Sequence, residues 1–222
     1  MGLKSEKIRR IFVTHSQFYI LHFTFYNIYI TYFKGDVSLK LIDIVQLTNS
    51  KFLNMYKLKL LNKKGQPKDY FVASRRKREE LTCVTHKHDY CDGVIIIPVT
   101  EEGEVVILRQ FRPAIDDYLY ELPAGMMDKG EDIETAAKRE LYEETGLEPV
   151  TYEEILKPSY SSVGFSDEAT AVVKMTVRGT VSTENNEDDE DIEVIKLKIS
   201  EAKEFVKNHN FSIKAALILL KL

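Results

Sequence analysis

The strongest restriction on the fold is an apolar run, GVIIIPVT, at Gly93–Thr100. A strand without a polar face is typical of a sheet that is covered on both sides. The turn Glu101-Glu102-Gly103 separates this run from a second apolar stretch, EVVILRQF, at residues 104–111. We therefore expect two buried strands joined by a short turn.

Other segments extend this sheet-forming pattern. Residues 51–74 predict two strands around the polar turn Asn62-Lys63-Lys64-Gly65. Further strands are predicted at residues 118–122, 169–177 and 192–199. The basic run at residues 75–78 is interpreted as a solvated strand end.

One central helix is predicted at residues 131–145, because Ile133, Ala137 and Leu141 recur at helical spacing and form one apolar face. Acidic residues at its start favour the positive end of the helix dipole, and Gly146 suits the position just after its end. Two amphipathic helices are predicted at residues 200–207 and 211–222. Strands on both sides of one helix, with helices at the end, indicate an α/β or α+β sandwich.

Composition excludes some functions. The 222 residues carry a net charge of −4 and no basic face, which argues against nucleic-acid binding. Cys83 and Cys91 are too few for a disulfide framework, so a reducing cytoplasm is expected. His86 and His88 lie between them and raise the question of zinc, but a second ligand pair is missing, which favours a plain linker.

The first 37 residues form an aromatic-rich extension whose role the sequence leaves open. The stretch from Ile11 to Phe33 has no charged Asp, Glu, Lys or Arg and is long enough to span a bilayer. Its polar residues and its many Phe and Tyr favour extra β structure or a dimer contact instead. A poorly ordered extension and a membrane or targeting segment are the alternatives.

Three carboxylates on the central helix indicate a metal site. Glu140, Glu143 and Glu144 share one helix face, where their repulsion calls for a compensating cation. A hard divalent ion with oxygen ligands, Mg²⁺ first and Mn²⁺ second, fits that demand. Arg139 stands four residues before Glu143 and can pair with it. A solvated acidic face is the alternative, but that would interleave the carboxylates with lysines, and none follows Arg139.

The segment from Gly125 to Leu147 resembles the Nudix box. Gly125, Glu131 and the run REL-Y-EETGL from Arg139 match every fixed position of that motif. The resemblance implies a Nudix α/β/α sandwich with a small N-terminal β lobe, and Mg²⁺-dependent hydrolysis of a nucleoside diphosphate linked to another group. It also implies that Glu140, Glu143 and Glu144 are metal ligands, with the Ala124 carbonyl as a backbone ligand.

The residues before the box are similar to those of ADP-ribose pyrophosphatases. In that group an Arg-Gln-aromatic-Arg strand precedes Glu-Leu-Pro-Ala-Gly, which matches this chain from Arg109 to Gly125. The resemblance implies that Arg112, Glu121 and Arg109 bind substrate; guanidinium groups suit bidentate contacts with phosphate. A strand-end salt bridge is the alternative for Arg109.

Two later loops also resemble this group. Gly164 is an expected substrate-binding residue in a loop where Val163 replaces the proline usual in the family, so the exact substrate stays open. The acidic loop at residues 184–194 is similar to a loop that, in this group, supplies a further carboxylate from a position well after the box. Glu190 is its best match as catalytic base, and Glu187 and Asp188 are the next candidates. A solvated loop without a catalytic role is the alternative.

The resemblance implies three regions: the extension at 1–37, an N-terminal β lobe at 38–80 and a Nudix hydrolase domain at 81–222. Because the lobe crosses to a partner subunit in relatives, it also implies a homodimer. The favoured activity is hydrolysis of ADP-ribose to AMP and ribose 5-phosphate. The alternatives are another sugar nucleotide, a dinucleoside polyphosphate, or a non-catalytic module that senses a nucleotide. An N-terminal membrane or partner anchor carrying the hydrolase is a further alternative.

Overall fold

A computed structural model describes the backbone of residues 9–14, 17–24 and 27–30 and the full side chains of residues 39–186 and 190–222. The chain divides into two compact units, one formed by residues 1–47 and 56–71 and the other by residues 48–55 and 72–222. The sequence-based division at residues 38 and 81 stays a prediction.

The first unit is built from antiparallel strands. Strands β1 (Arg9–Thr14), β2 (Gln17–Thr24) and β3 (Asn27–Ile30) pair in that order. A second sheet has the order β4 (Lys40–Gln46), β5 (Asn54–Leu61) and β6 (Pro67–Ser74). The predicted hairpin at residues 51–74 is therefore confirmed. Among the helices that the structure describes, none is long and apolar enough to cross a bilayer.

A short 3₁₀ helix (Arg78–Glu80) and helix α1 (Thr82–Thr85) lead into the large sheet of the second unit. Within residues 93–186 and 190–198, eight strands form this sheet: β7 (Gly93–Thr100), β8 (Glu104–Arg112), β9 (Asp117–Glu121), β10 (Ala124–Met126), β11 (Glu148–Pro149), β12 (Glu153–Tyr160), β13 (Ala169–Arg178) and β14 (Ile192–Lys198). The central strand β7 pairs in parallel with β13 and antiparallel with β8 and β10.

Helices cover both faces of this sheet. Helix α2 (Ile133–Thr145) lies on one face, and α3 (Ile199–Asn208) and α4 (Ile213–Leu219) lie on the other. Alternate side chains of β7 enter different cores. Val94 and Ile96 pack in the cluster that contains Leu141 of α2, whereas Ile95 packs in the cluster that contains Leu219 of α4. A strand with helices on both sides must be apolar on both faces, which explains the run GVIIIPVT. The predicted α/β/α sandwich is confirmed.

Strand β12 was not predicted, because its sequence lacks a two-residue alternation. Most of its side chains are exposed, and its register with β13 shifts twice between Glu154 and Ser159. Pro158 lies in this irregular part, where a missing backbone donor is tolerated. Its strand conformation depends on pairing with β13, the next strand, rather than on a local sequence pattern.

Candidate active site

Helix α2 places Glu140, Glu143 and Glu144 along one face. Its start is capped by Asp132, whose side chain accepts a hydrogen bond of 2.8 Å from the Thr135 amide. Gly146 ends it with a φ of +70°, a left-handed conformation that favours glycine. The helix begins two residues later than predicted, so Glu131 lies before it rather than in its first turn.

Arg139 connects four groups around the start and face of α2. Its guanidinium donates to both carboxylate oxygens of Glu131, at 3.1 and 3.0 Å, and to the Met126 carbonyl at 2.9 Å. It also donates to Glu140 and Glu143, each at 2.9 Å. The predicted pairing with Glu143 is confirmed. The arginine therefore holds three carboxylates that would otherwise repel one another.

Two glycines let backbone and carboxylate approach closely beside this network. A methyl group on Gly125 would lie 1.9 Å from Cδ of Glu140, so the carboxylate occupies the space that a side chain would fill. A methyl group on Gly93 would lie 2.5 Å from the Gly125 carbonyl oxygen. The Nudix-box glycine is thus explained by contact with Glu140, while Gly93 had no signal in the sequence.

Glu144 lies deeper than the other glutamates. It is 2% exposed and accepts a hydrogen bond of 3.0 Å from the Ala124 amide. Burial raises the pKa of Glu144 well above its usual range, and the charges of Glu140 and Glu190 act in the same direction. Burial also raises the pKa of Glu140, although Arg139 opposes that shift. Such buried carboxylates have a strong demand for a compensating cation.

A cleft of about 620 Å³ opens over this part of α2, and we call it the acidic cleft. Backbone of Ala124 and Gly125 forms part of its wall. Its acidic lining residues are Asp128, Glu140, Glu143, Glu168 and Glu190. Its basic lining residues are Arg75, Arg112, Arg139 and Lys214. The predicted base Glu190 therefore lies in the same cleft as the α2 glutamates, whereas Glu144 lies behind its wall.

The chemistry of these residues fits a divalent cation. Glu140 fills the space left open by Gly125, and Glu144 is buried with a raised pKa. Oxygen ligands of this kind suit hard ions. Across residues 39–186 and 190–222, however, no three His, Cys, Asp or Glu side chains are arranged around one point as a metal site. Arg139 holds Glu140 and Glu143 in this conformation and takes over part of the charge compensation.

The arginines before the box lie in two different surroundings. Arg112 lines the cleft and donates through Nε to Glu121 at 2.7 Å. The two predicted substrate-binding residues Arg112 and Glu121 are thus one ion pair. Arg109 is not among the residues that line the cleft; it lies 3.6 Å from Glu193 and 4.0 Å over the Tyr118 ring. Its surroundings match the salt bridge expected as the alternative.

The basic run at residues 75–78, interpreted as a solvated strand end, is exposed except at Arg76. Arg76 is 9% exposed and donates to Asp92 at 2.8 Å and to the Asp167 carbonyl at 3.0 Å. Asp92 also accepts from the Ala169 amide at 2.8 Å. This network fixes the loop before β13 to the start of β7, and it sets the position of Glu168 in the cleft wall.

The loop that carries Val163 turns its tip to solvent. Val163 is 69% exposed, and neither it nor Gly164 is among the residues lining the cleft. Glu187 and Asp188, the other candidates for the base, lie outside the described residues. Arg75, Thr170 and Lys214 line the cleft without having been predicted, because no motif connects positions so distant in sequence.

Comparison with known proteins agrees with this geometry. A family model for the NUDIX domain matches residues 89–217, which is more than half of the chain. The chain belongs to the Nudix family. The match contains β7, the acidic helix α2 and Lys214. Nudix hydrolases generally use divalent metal ions, in agreement with the oxygen-rich donor set of this site.

The Nudix chain is similar in sequence to several curated proteins. It is 36% identical over 120 residues to the ADP-ribose pyrophosphatase of Bacillus subtilis, covering 52% of this chain and 63% of that protein. It is 34% identical over 119 residues to the methanol dehydrogenase activator of Bacillus methanolicus, covering 52% and 62%. The ADP-sugar pyrophosphatase of Mus musculus is 35% identical over 113 residues, covering 49% and 51%. The chain thus matches between half and two thirds of each relative.

The fold also matches a solved structure. The crystal structure of an ADP compounds hydrolase superimposes on this chain with a TM-score of 0.66. The match covers 83% of this chain and 93% of the hydrolase chain. The sequence identity is 16%, so this likeness supports the Nudix fold alone.

Proposed function

We propose that this protein hydrolyses the pyrophosphate bond of a nucleoside diphosphate sugar, with ADP-ribose as the favoured substrate and AMP and ribose 5-phosphate as products. One observation carries the proposal: Glu140, Glu143 and Glu190 lie in a single cleft with Arg112 and Lys214. This reaction needs carboxylates that bind a metal cation and positively charged side chains that bind phosphate.

Magnesium is the proposed metal, with manganese second. Glu140, Glu143, Glu144 and the Ala124 carbonyl would hold it, in keeping with the raised pKa of Glu140 and Glu144. When bound, a divalent ion neutralises pyrophosphate charge and makes water more acidic. Glu144 and Ala124 already adjoin each other through a hydrogen bond of 3.0 Å.

The chain's own groups divide the remaining work. Glu190 lies in the cleft wall, where its carboxylate takes the proton of the attacking water. The water oxygen bonds to one phosphorus, the bond from that phosphorus to the bridging oxygen breaks, and the bridging oxygen leaves with the second phosphate. Arg112 binds a phosphate or the terminal ribose, and its pairing with Glu121 orients the guanidinium. Arg139 keeps Glu140 and Glu143 in place.

Two observations support ADP-ribose. The relatives named for ADP-ribose and ADP-sugar pyrophosphatase activity match at 36% and 35% identity. Val163, which departs from the family's proline, is exposed and stands apart from the cleft lining. We therefore expect that this departure leaves the diphosphate-binding wall intact. Another sugar nucleotide is the second candidate, since the mouse relative is named for ADP-sugars.

The test is product analysis on a substrate panel. ADP-ribose, other sugar nucleotides, dinucleoside polyphosphates and nucleoside triphosphates are incubated with Mg²⁺, with Mn²⁺ and with chelator, and the nucleotide products are separated. We expect AMP and ribose 5-phosphate from ADP-ribose, with the reaction lost in chelator. A preference for another compound would retain the chemistry and reassign the substrate. Absence of turnover on every compound would favour a nucleotide-sensing module.

We further propose a cytoplasmic homodimer. The absence of a disulfide framework fits a reducing compartment, and the strands of the first unit offer β edges for pairing. Light scattering coupled to gel filtration tests this directly. A mass near twice 25.7 kDa is expected, and a mass of one chain at micromolar concentration would contradict it.

A further inference from the structure

The acidic cleft contains a lysine whose surroundings differ from those of its other cations. Arg139 pairs with Glu140 and Glu143, and Arg112 pairs with Glu121. Arg75 lies 3.9 Å from Glu168. Each of these arginines thus has a carboxylate that offsets its charge.

The ammonium group of Lys214 instead contacts a hydroxyl group. Its Nζ donates to Ser161 Oγ at 3.2 Å, and Ser161 Oγ lies 3.3 Å from Thr170 Oγ1. Over residues 39–186 and 190–222, no carboxylate oxygen lies within 4.0 Å of this ammonium group. A hydroxyl dipole orients an ammonium group but leaves its full positive charge in place. Lys214 is partly buried where the acidic cleft meets an apolar groove, and it lines both, so its charge has less water around it than that of an exposed lysine.

The fold fixes the backbone of Lys214 firmly. Helix α4 buries Ala215 and Leu219 in the core beneath the sheet. The residues before it pair with β9, because the Ser212 amide donates to the Tyr120 carbonyl at 3.1 Å and the Tyr120 amide donates to the Asn210 carbonyl at 2.8 Å. The lysine therefore enters the cleft from a defined position on the wall formed by the C-terminal helix.

We propose that Lys214 is a substrate-binding residue that contacts a non-bridging oxygen of the substrate's diphosphate. This inference rests on the proposed pyrophosphatase function and adds a phosphate contact to it. A diphosphate is the anion that the cleft is proposed to take, and the ammonium group can reach it without first breaking an ion pair. The contact forms in the ground state and persists during reaction, so it contributes to binding more than to the chemical step.

The experiment replaces Lys214 by methionine, which keeps the chain length and removes the charge, and by arginine, which keeps the charge. We expect Lys214→Met to raise KM for ADP-ribose by roughly tenfold or more, the effect of losing one hydrogen bond to a charged group, with little change in kcat. Lys214→Arg is expected to recover most of the loss. Lys174→Met and Lys221→Met are the matched controls, because both lysines line, together with Lys214, an apolar groove between β12 and α4 but, unlike Lys214, do not line the acidic cleft.

Calorimetric binding of ADP-ribose in chelator provides a readout that does not need turnover, and thermal melting confirms that each variant is folded. If wild type binds ADP-ribose without hydrolysing it, the proposed function fails, while weaker binding by Lys214→Met still supports the contact. An unchanged KM and affinity in a folded Lys214→Met protein overturn the inference. Equal losses in the Lys174 or Lys221 controls also overturn it, since they would indicate a general effect of charge. If wild type neither binds nor hydrolyses ADP-ribose, both proposals fall.

Discussion

Arg139 and Glu144 solve the same electrostatic problem in different ways. Arg139 is 28% exposed in its side chain and compensates Glu131, Glu140 and Glu143 through direct hydrogen bonds. Glu144 is almost fully buried, and its charge is opposed by burial and by neighbouring carboxylates. Arg139 therefore stabilises the site in this conformation, whereas the buried charge of Glu144 favours the binding of a cation.

Replacing Arg139 by glutamine is expected to destabilise the fold. The partly buried carboxylates of Glu131 and Glu140 would lose their charged partner, which lowers the free energy of unfolding by about 2 to 4 kcal/mol. The matched control is Lys138→Gln, which breaks an exposed pair with Glu134 on the same helix. That change should cost about 0.3 to 0.5 kcal/mol. Urea unfolding measures both, and equal effects would contradict the role given to Arg139.

Replacing Glu144 by glutamine is expected to separate activity from stability. The amide oxygen can accept the same hydrogen bond from Ala124, and an uncharged group is less costly to bury. We expect turnover to fall by roughly a hundredfold or more, the cost of losing one group that stabilises the transition state, with a melting temperature no lower than wild type. Glu134→Gln, an exposed change on the same helix, is the control. Near-wild-type turnover in Glu144→Gln would show that the metal assignment is wrong.

The contact between α2 and β10 decides how close the Glu140 carboxylate lies to the sheet. Glu140 can approach this strand because Gly125 has no side chain. Strand β10 is in turn held against β7, where Gly93 allows the Gly125 carbonyl to approach. The packing of α2, β10 and β7 thus sets the shape of the acidic cleft at this point.

Gly125→Ala is expected to displace the Glu140 carboxylate. The added methyl group would lie 1.9 Å from Cδ and 2.0 Å from both oxygens of Glu140, so the side chain must rotate away. Turnover should fall as far as in Glu140→Ala. In the double variant, the second substitution should bring no further loss of turnover and should restore part of the unfolding free energy, because the clash is gone. Additive losses in this cycle would show that Gly125 acts through a different contact.

Among the residues that the structure describes, those lining the acidic cleft lie between Arg75 and Lys214. Removal of residues 1–37 is therefore expected to leave kcat and KM for the preferred substrate unchanged. Steady-state kinetics and gel filtration of the full chain and the shortened chain measure the two effects separately. A folded, shortened protein without activity would show that the extension contributes to the site, and a change in mass alone would assign it to association.

Much of the fold and of the site follows from local sequence patterns. Apolar continuity at Gly93–Thr100 requires a sheet covered on both faces, and the spacing of Ile133, Ala137 and Leu141 requires a helix that packs on one face. The Nudix-box glutamates are recognisable because helical geometry alone brings residues three and four positions apart together.

Contacts between distant segments were decided only by tertiary structure. Arg76 was taken for a solvated residue, and its burial depends on Asp92 and Asp167, which no local pattern connects to it. Lys214 enters the cleft because helix α4 returns to the sheet after the last strand. A one-dimensional pattern records which face of an element is apolar, but the partner of a charged side chain depends on how the elements pack. The sequence therefore determined the layers and the acidic helix, whereas the packing of those layers determined which arginine and lysine side chains lie near the carboxylates.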